Sequence, residues 1–133
     1  GYCLCGDRQL LSRMAGAGQP WGVSVLAQEA GLAALQEDRY VENVRALIGQ
    51  ERPWLWQQLE RAGVHVVGGS VNYLFFRSDV PQLGEKMRRL GVMIRSCANY
   101  PGLSEGWYRV AVRTREENQR LVDCIRQAGE GDR

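Results

Sequence analysis

Residues 106–122 read GWYRVAVRTREENQRLV, and the way this stretch folds decides the rest. Tyr108, Val110 and Val112 alternate with Arg109, Ala111 and Arg113. An extended chain therefore puts apolar side chains on one face and two arginines on the other. The alternation stops at Thr114. Thr114 and Glu117 then form a capping box for a helix whose Leu121, Val122, Ile125 and Ala128 make one apolar stripe. A strand with one apolar and one cationic face, leading into an amphipathic helix, calls for a sheet covered by helices on one side.

Working back along the chain, VMIRS (92–96) reads as a strand with Val92 and Ile94 on one face and Met93 and Arg95 on the other. The loop ANYPGLSEG (98–106) joins it to the last strand. VPQLGEKMRRLG (80–91) is a helix with Pro81 near its start and Gly91 at its end. VHVVGGSVNYLFFRSD (64–79) is two strand segments around a bend at Gly68-Gly69. Asp38 opens a long helical stretch with Val41, Val44, Ile48, Leu55 and Leu59 on one stripe, and Gly63 closes it. Pro53 within it clashes with the carbonyl of Gly49, so a kink or a break is expected there.

Two shorter helices come first, one capped by Asp7 with Leu10, Leu11 and Met14 on one side, one Ala-rich and starting at Ser24. The turn GQPW separates them. GYCLCGD (1–7) reads as the end of a buried strand, and GEGDR (129–133) as a frayed tail. The expected fold class is α/β in the α+β sense: a small, mainly antiparallel sheet with helices packed on one face, preceded by a long helical segment. Residues 1–37 form one part. Residues 38–133 form the other, a long helix followed by β-β-α-β-β-α.

Composition narrows the function. A net charge of +2 over 133 residues argues for neither a nucleic-acid nor a membrane partner. No run reaches the length of a spanning helix, and no signal peptide is visible. Cys3, Cys5, Cys97 and Cys124 include no C-x-x-C pair, and read as reduced thiols of a cytoplasmic protein. No metal site is expected, since the single His65 has no cysteine at zinc-finger spacing and sits between valines like an ordinary strand residue. Trp21, Trp54 and Trp56 flank prolines and read as packing residues. No phosphate-binding glycine loop and no Ser/His/Asp arrangement stands out.

The arginines remain. Arg95 and Arg109 lie on two strands joined by a loop containing Gly and Pro, so they can converge on one site, with Asn99 and Tyr100 in that loop as further lining. A guanidinium pairs bidentately with carboxylate or phosphate. Read from the residues alone, solvated arginines and an anion site both stay open.

The whole pattern resembles fold-type I pyridoxal-phosphate enzymes. The segments GYCLCGDRQLLSRM, QPWGVSVLAQEAGLAAL, YVENVRALIGQERPWLWQQLERAGV, NYLFFR, GVMIRSCANYPGL and YRVAVRTREENQRL follow that family's order, over Gly1 to about Ala128. The likeness is to the histidinol-phosphate aminotransferase branch and, through IRSCANYPGL and RVAVRTREEN, to its L-threonine-O-3-phosphate decarboxylases. In aminotransferases of the branch a glycine usually stands near Arg113.

The resemblance implies an aminotransferase-like small domain that closes over an amino-acid substrate against a larger domain. It implies that Arg109 grips the substrate carboxylate and Arg95 its distal phosphate. Asn72 and Tyr73 fall on a strand at the domain junction, with no role assigned. The lysine that forms the Schiff base with pyridoxal 5'-phosphate is expected upstream of Gly1, as is the arginine that contacts the cofactor phosphate, and Lys86 does not match that lysine. The chain also opens with Gly, inside an apolar stretch. It is therefore expected to be a segment of a longer, homodimeric protein of cobalamin biosynthesis, with no catalytic or cofactor-binding residue of its own and no activity alone. An aminotransferase of histidinol-phosphate or aspartate/aromatic type is the alternative within the family. A non-catalytic anion-binding or interaction domain is the alternative outside it.

Overall fold

A computed structural model describes residues 3–130, which fall into two units, one ending at Arg39 and one beginning at Tyr40. The first holds helices α1 (Arg8–Ala17) and α2 (Val25–Ala34). The Asp7 carboxylate accepts from the backbone N–H of Gln9 and Leu10, and the Ser24 hydroxyl from that of Ala27, so both predicted caps are present. No residue of either helix is buried. The apolar side of α1 and the Ala-rich surface of α2 have nothing in their unit to close on, and an amphipathic helix buries its stripe only against a partner.

Two readings change in this region. Residues 3–5 form no strand and Leu4 is 90% exposed, because a strand persists only when another pairs with it. The expected strand's first two residues, Gly1 and Tyr2, lie outside the described residues. Trp21 is 97% exposed rather than packed, with a left-handed backbone (φ 61°).

In the second unit, α3 (Asp38–Arg61) is continuous through Pro53, so no break occurs. Its stripe is shorter than expected. Leu55 and Leu59 are in the core, whereas Val41 remains 40% exposed. The N–H of Val64 donates to the Leu59 carbonyl and Gly63 takes φ 84°, which closes the helix as a left-handed cap. Four strands follow around two helices: β1 (His65–Gly68), β2 (Tyr73–Arg77), α4 (Leu83–Arg89), β3 (Arg95–Ser96), β4 (Trp107–Ala111) and α5 (Arg115–Glu130). The sheet order is β1-β2-β4-β3, and every neighbouring pair is antiparallel.

Period-2 alternation sorts the two faces as the sequence requires. Leu74, Phe76, Tyr108 and Val110 are buried against Leu55 and Leu59 of α3, Leu83 and Met87 of α4, and Leu121, Val122 and Ile125 of α5. Burying such side chains contributes about 1.5–3 kcal/mol each. Gly69 makes the bend possible, since a Cβ there would collide with the Tyr73 carbonyl and the Leu74 side chain. Arg52 of α3 donates to the Ser70 carbonyl at 2.6 Å and fixes this turn from outside.

Two further expectations shift. The strand expected over 92–96 pairs with β4 only at Arg95 and Ser96, although Val110 and Ala111 continue β4 beyond them. The Val92 N–H closes α4 on the Met87 carbonyl, and the chain leaves that cap before it joins the ladder. Val92 and Ile94 still pack on the core, so the expected facing survives without the ladder. At the C-terminus, α5 runs through Gly129 and Glu130, which are not frayed. The rest of that tail, 131–133, lies outside the described residues. No helix among the described residues is long and apolar enough to cross a membrane.

Candidate anion site on the open sheet face

The face of the sheet turned away from the helices carries Tyr73, Phe75, Trp107 and Arg109, with Arg95 beside them. Phe75 and Trp107 stack at 5.0 Å between ring centroids. Register places Arg95 directly across from Arg109, which brings two cations about 5 Å apart at the backbone. Like charges in that position oppose folding. The sheet tolerates the pair without a carboxylate beside it: neither arginine has an ion-pair partner among the described residues.

Arg109 is the better defined of the two. Its guanidinium carbon lies 4.1 Å from the centroid of the Tyr73 ring, a cation–π contact that fixes the plane of the group. Its Nε is buried and has no hydrogen-bond partner. Buried donors are almost always satisfied, so an orphan on this face of the sheet points to an acceptor that binds there. A carboxylate engaging Nε and one terminal nitrogen suits the planar fork. Arg95 is exposed and adds charge from the neighbouring strand.

Arg95, Arg109, Arg113 and Arg120 all line one cleft of about 550 Å³, together with Asn72, Tyr73 and Glu117. Glu117 is already engaged. It accepts from Arg113 Nε at 2.7 Å and from the Thr114 hydroxyl at 2.8 Å, and the Thr114 bond, then Arg113, holds its carboxyl below the usual carboxylate range. The predicted capping box is thus half formed: Glu117 reaches back to the Thr114 N–H, but the Thr114 hydroxyl donates to Glu117 rather than accepting from the backbone. A larger cleft of about 610 Å³ opens near α4, but its cations are spent, Arg77 on Asp79 and Arg88 on Glu85.

Of the loop residues, Tyr100 lines a smaller cavity of about 300 Å³ that also touches Arg109 and Tyr73. Asn99 lines neither this cavity nor the 550 Å³ cleft. Lys86 lies on α4, whose Leu83 and Met87 face the core, so it belongs to the helical side of the sheet. No cluster able to hold a metal ion occurs among the described residues.

Two features escaped the sequence reading. Tyr73 was on a recognised strand, but its position under Arg109 follows from the β2–β4 register. The second is Glu51, only 4% exposed on α3. Arg115 grips it bidentately at 2.9 and 3.1 Å, Asn118 donates to it at 3.3 Å, and Arg115 also lies 4.1 Å above the Trp54 ring. The Arg115 bonds outweigh the cost of burial and hold the Glu51 carboxyl below its usual range. A carboxylate at i+3 from Ile48 and i−4 from Leu55, on the apolar stripe, was the available signal.

Comparison with known proteins gives the family and the fold. Residues 1–125 match the family described as aminotransferase class I and II. Threonine-phosphate decarboxylase of Salmonella typhimurium is 34% identical over 95% of this chain and 35% of that protein. Histidinol-phosphate aminotransferase of Symbiobacterium thermophilum is also 34% identical, over 92% of the chain and 34% of its own length. The chain thus spans about a third of these curated relatives. Among solved structures, histidinol-phosphate aminotransferase from Clostridium acetobutylicum superposes with a TM-score of 0.83 at 19% identity, over 94% of this chain and 39% of that one. L-threonine-O-3-phosphate decarboxylase from Porphyromonas gingivalis gives 0.77 at 21%, over 93% and 40%.

Proposed function

The chain belongs to the class I and II aminotransferase family, and we propose that it is the C-terminal part of a pyridoxal-phosphate-dependent enzyme acting on a phosphorylated amino acid, with threonine-phosphate decarboxylation as its activity. The family depends on pyridoxal phosphate, which when bound supplies an electron sink for a bond broken at the substrate Cα. This chain's own residues do not fit that cofactor. Its one lysine, Lys86, lies on the helical side of the sheet, away from Arg95 and Arg109. They fit the substrate's anions instead.

The observation that carries the reading is the orphaned, buried Nε of Arg109 with Arg95 across the ladder. Arg109 takes the substrate carboxylate and, fixed on Tyr73, sets the direction of the bond between Cα and the carboxylate. That is a contribution of orientation. Arg95 takes the distal phosphate. In this reading residues 1–37 end the large domain and its connecting helices, and 38–133 form the small domain. The large domain supplies the cofactor lysine and covers the open sheet face, in a homodimeric cytoplasmic enzyme of cobalamin biosynthesis.

Histidinol-phosphate amino transfer is the second reading, favoured by a relative equally identical to this chain. Both are tested in the full-length protein loaded with pyridoxal phosphate. Carbon dioxide release is followed from L-threonine O-3-phosphate, and amino transfer as glutamate formed from histidinol phosphate with 2-oxoglutarate, or consumed with the keto counterpart of histidinol phosphate. Carbon dioxide without amino transfer is the expected result. Amino transfer alone replaces the first reading with the second. The 133-residue chain by itself is expected to do neither.

A further inference from the structure

Arg120 sits on α5 within helical reach of three acids, Glu116 at i−4, Glu117 at i−3 and Asp123 at i+3. Such spacings favour ion pairs on a helix surface. Arg120 makes none of them. Glu117 is taken by Arg113 and Thr114, and Asp123 by Gln119 and Arg126. Arg120 instead lies between two hollows, lining the 550 Å³ cleft with Arg95 and Arg109 on one side and a surface hollow with Glu116 and Asp123, neither of them its ion-pair partner, on the other. Its Nη2 lies so close to Gly91 that a Cβ there would approach to 3.3 Å, and Gly91 holds a left-handed turn at φ 78°. A side chain at that turn would crowd the guanidinium.

The cleft therefore gathers three guanidiniums with no carboxylate partner, plus Arg113 already shared with Glu117. One substrate carboxylate neutralises one of the three. Two remain, a match for a phosphate dianion, whose oxygens accept from more than one fork at once. We propose that Arg120 is a further specificity-determining residue, taking the phosphate of the substrate jointly with Arg95. This rests on the reading above, in which Arg109 holds the carboxylate.

The test uses the full-length protein without added pyridoxal phosphate and its Arg120→Gln and Arg120→Lys variants, titrated with O-phospho-L-threonine, inorganic phosphate and L-threonine. Arginine Nε–Hε resonances report which group responds, and circular dichroism checks the fold of each variant. Arg120→Gln is expected to weaken O-phospho-L-threonine and inorganic phosphate about tenfold and to leave L-threonine unchanged, with Arg120→Lys intermediate. Equal affinity for phosphate in all three chains, or a phosphate response confined to Arg95, overturns the proposal. The underlying reading fails separately, if L-threonine leaves the Arg109 resonance unmoved while phosphate still shifts Arg95 and Arg120.

Discussion

Arg115 and Arg109 are built alike and end differently. Each lays its guanidinium 4.1 Å from an aromatic centroid, Trp54 for one and Tyr73 for the other. Arg115 completes the arrangement by gripping the buried Glu51, and Asn118 closes the remaining contact. Arg109 has the ring and the buried Nε but no acid. The first site is what this fold does with an arginine it needs for stability. The second has the same parts less the carboxylate, and on the function proposed above that carboxylate arrives with the substrate.

The comparison breaks first, and by the most, through Arg109. In the full-length enzyme, Arg109→Ala should raise KM and lower kcat together, losing about a hundredfold or more in kcat/KM, on the scale of ~3 kcal/mol for an unpartnered charge at a binding site. Steady-state kinetics on L-threonine O-3-phosphate decides it, and unchanged kinetics would remove Arg109 from the site.

Glu51 sharpens the other half. Glu51→Ala should destabilise the chain by about 2–3 kcal/mol in urea unfolding, because it removes the buried acceptor of both Arg115 bonds, while Asn118 keeps its bonds with Arg113. The pH dependence has a fixed sign. The folded-state carboxyl titrates below its unfolded value, so the unfolded chain binds the proton more readily at acid pH. The stabilisation is therefore complete above the ordinary carboxylate range and is lost as pH falls through the lower folded value. Glu51→Gln should lose less over the same window, the remaining loss coming from carboxyls such as Glu117 that are also held below the usual range.

The smallest effect expected is the most pointed. Arg109→Met in the 133-residue chain should change stability by less than about 1 kcal/mol, since only the contact with Tyr73 is lost. A loss as large as that of Glu51→Ala in the same unfolding experiment would make Arg109 another structural arginine.

What was legible follows from the range of each interaction. The faces of β2 and β4 could be read because their period-2 pattern is local and repeated, and the caps at Asp7, Ser24 and Gly63 because each involves only a few residues. The extent of β3 was not, since the cap that ties the Val92 N–H to the end of α4 is a feature of how that helix closes. The convergence of Arg95 and Arg109 was expected, but their direct opposition depends on a register no single strand encodes. Glu51 and Arg115 are 64 positions apart, so the pair could not be read from either segment alone. The packing expected of α1, α2 and Trp21 required partner surfaces that residues 3–39 do not contain.

The most direct test of Arg109 as a carboxylate grip compares two ligands that differ by that group alone. O-phospho-L-threonine and its decarboxylated counterpart, 1-aminopropan-2-yl phosphate, would be measured as ligands of the full-length protein and of its Arg109→Ala variant. The account predicts that the variant loses about a hundredfold for the first ligand and almost nothing for the second. An equal loss for both would contradict it, and would assign Arg109 to the shape of the site rather than to the carboxylate.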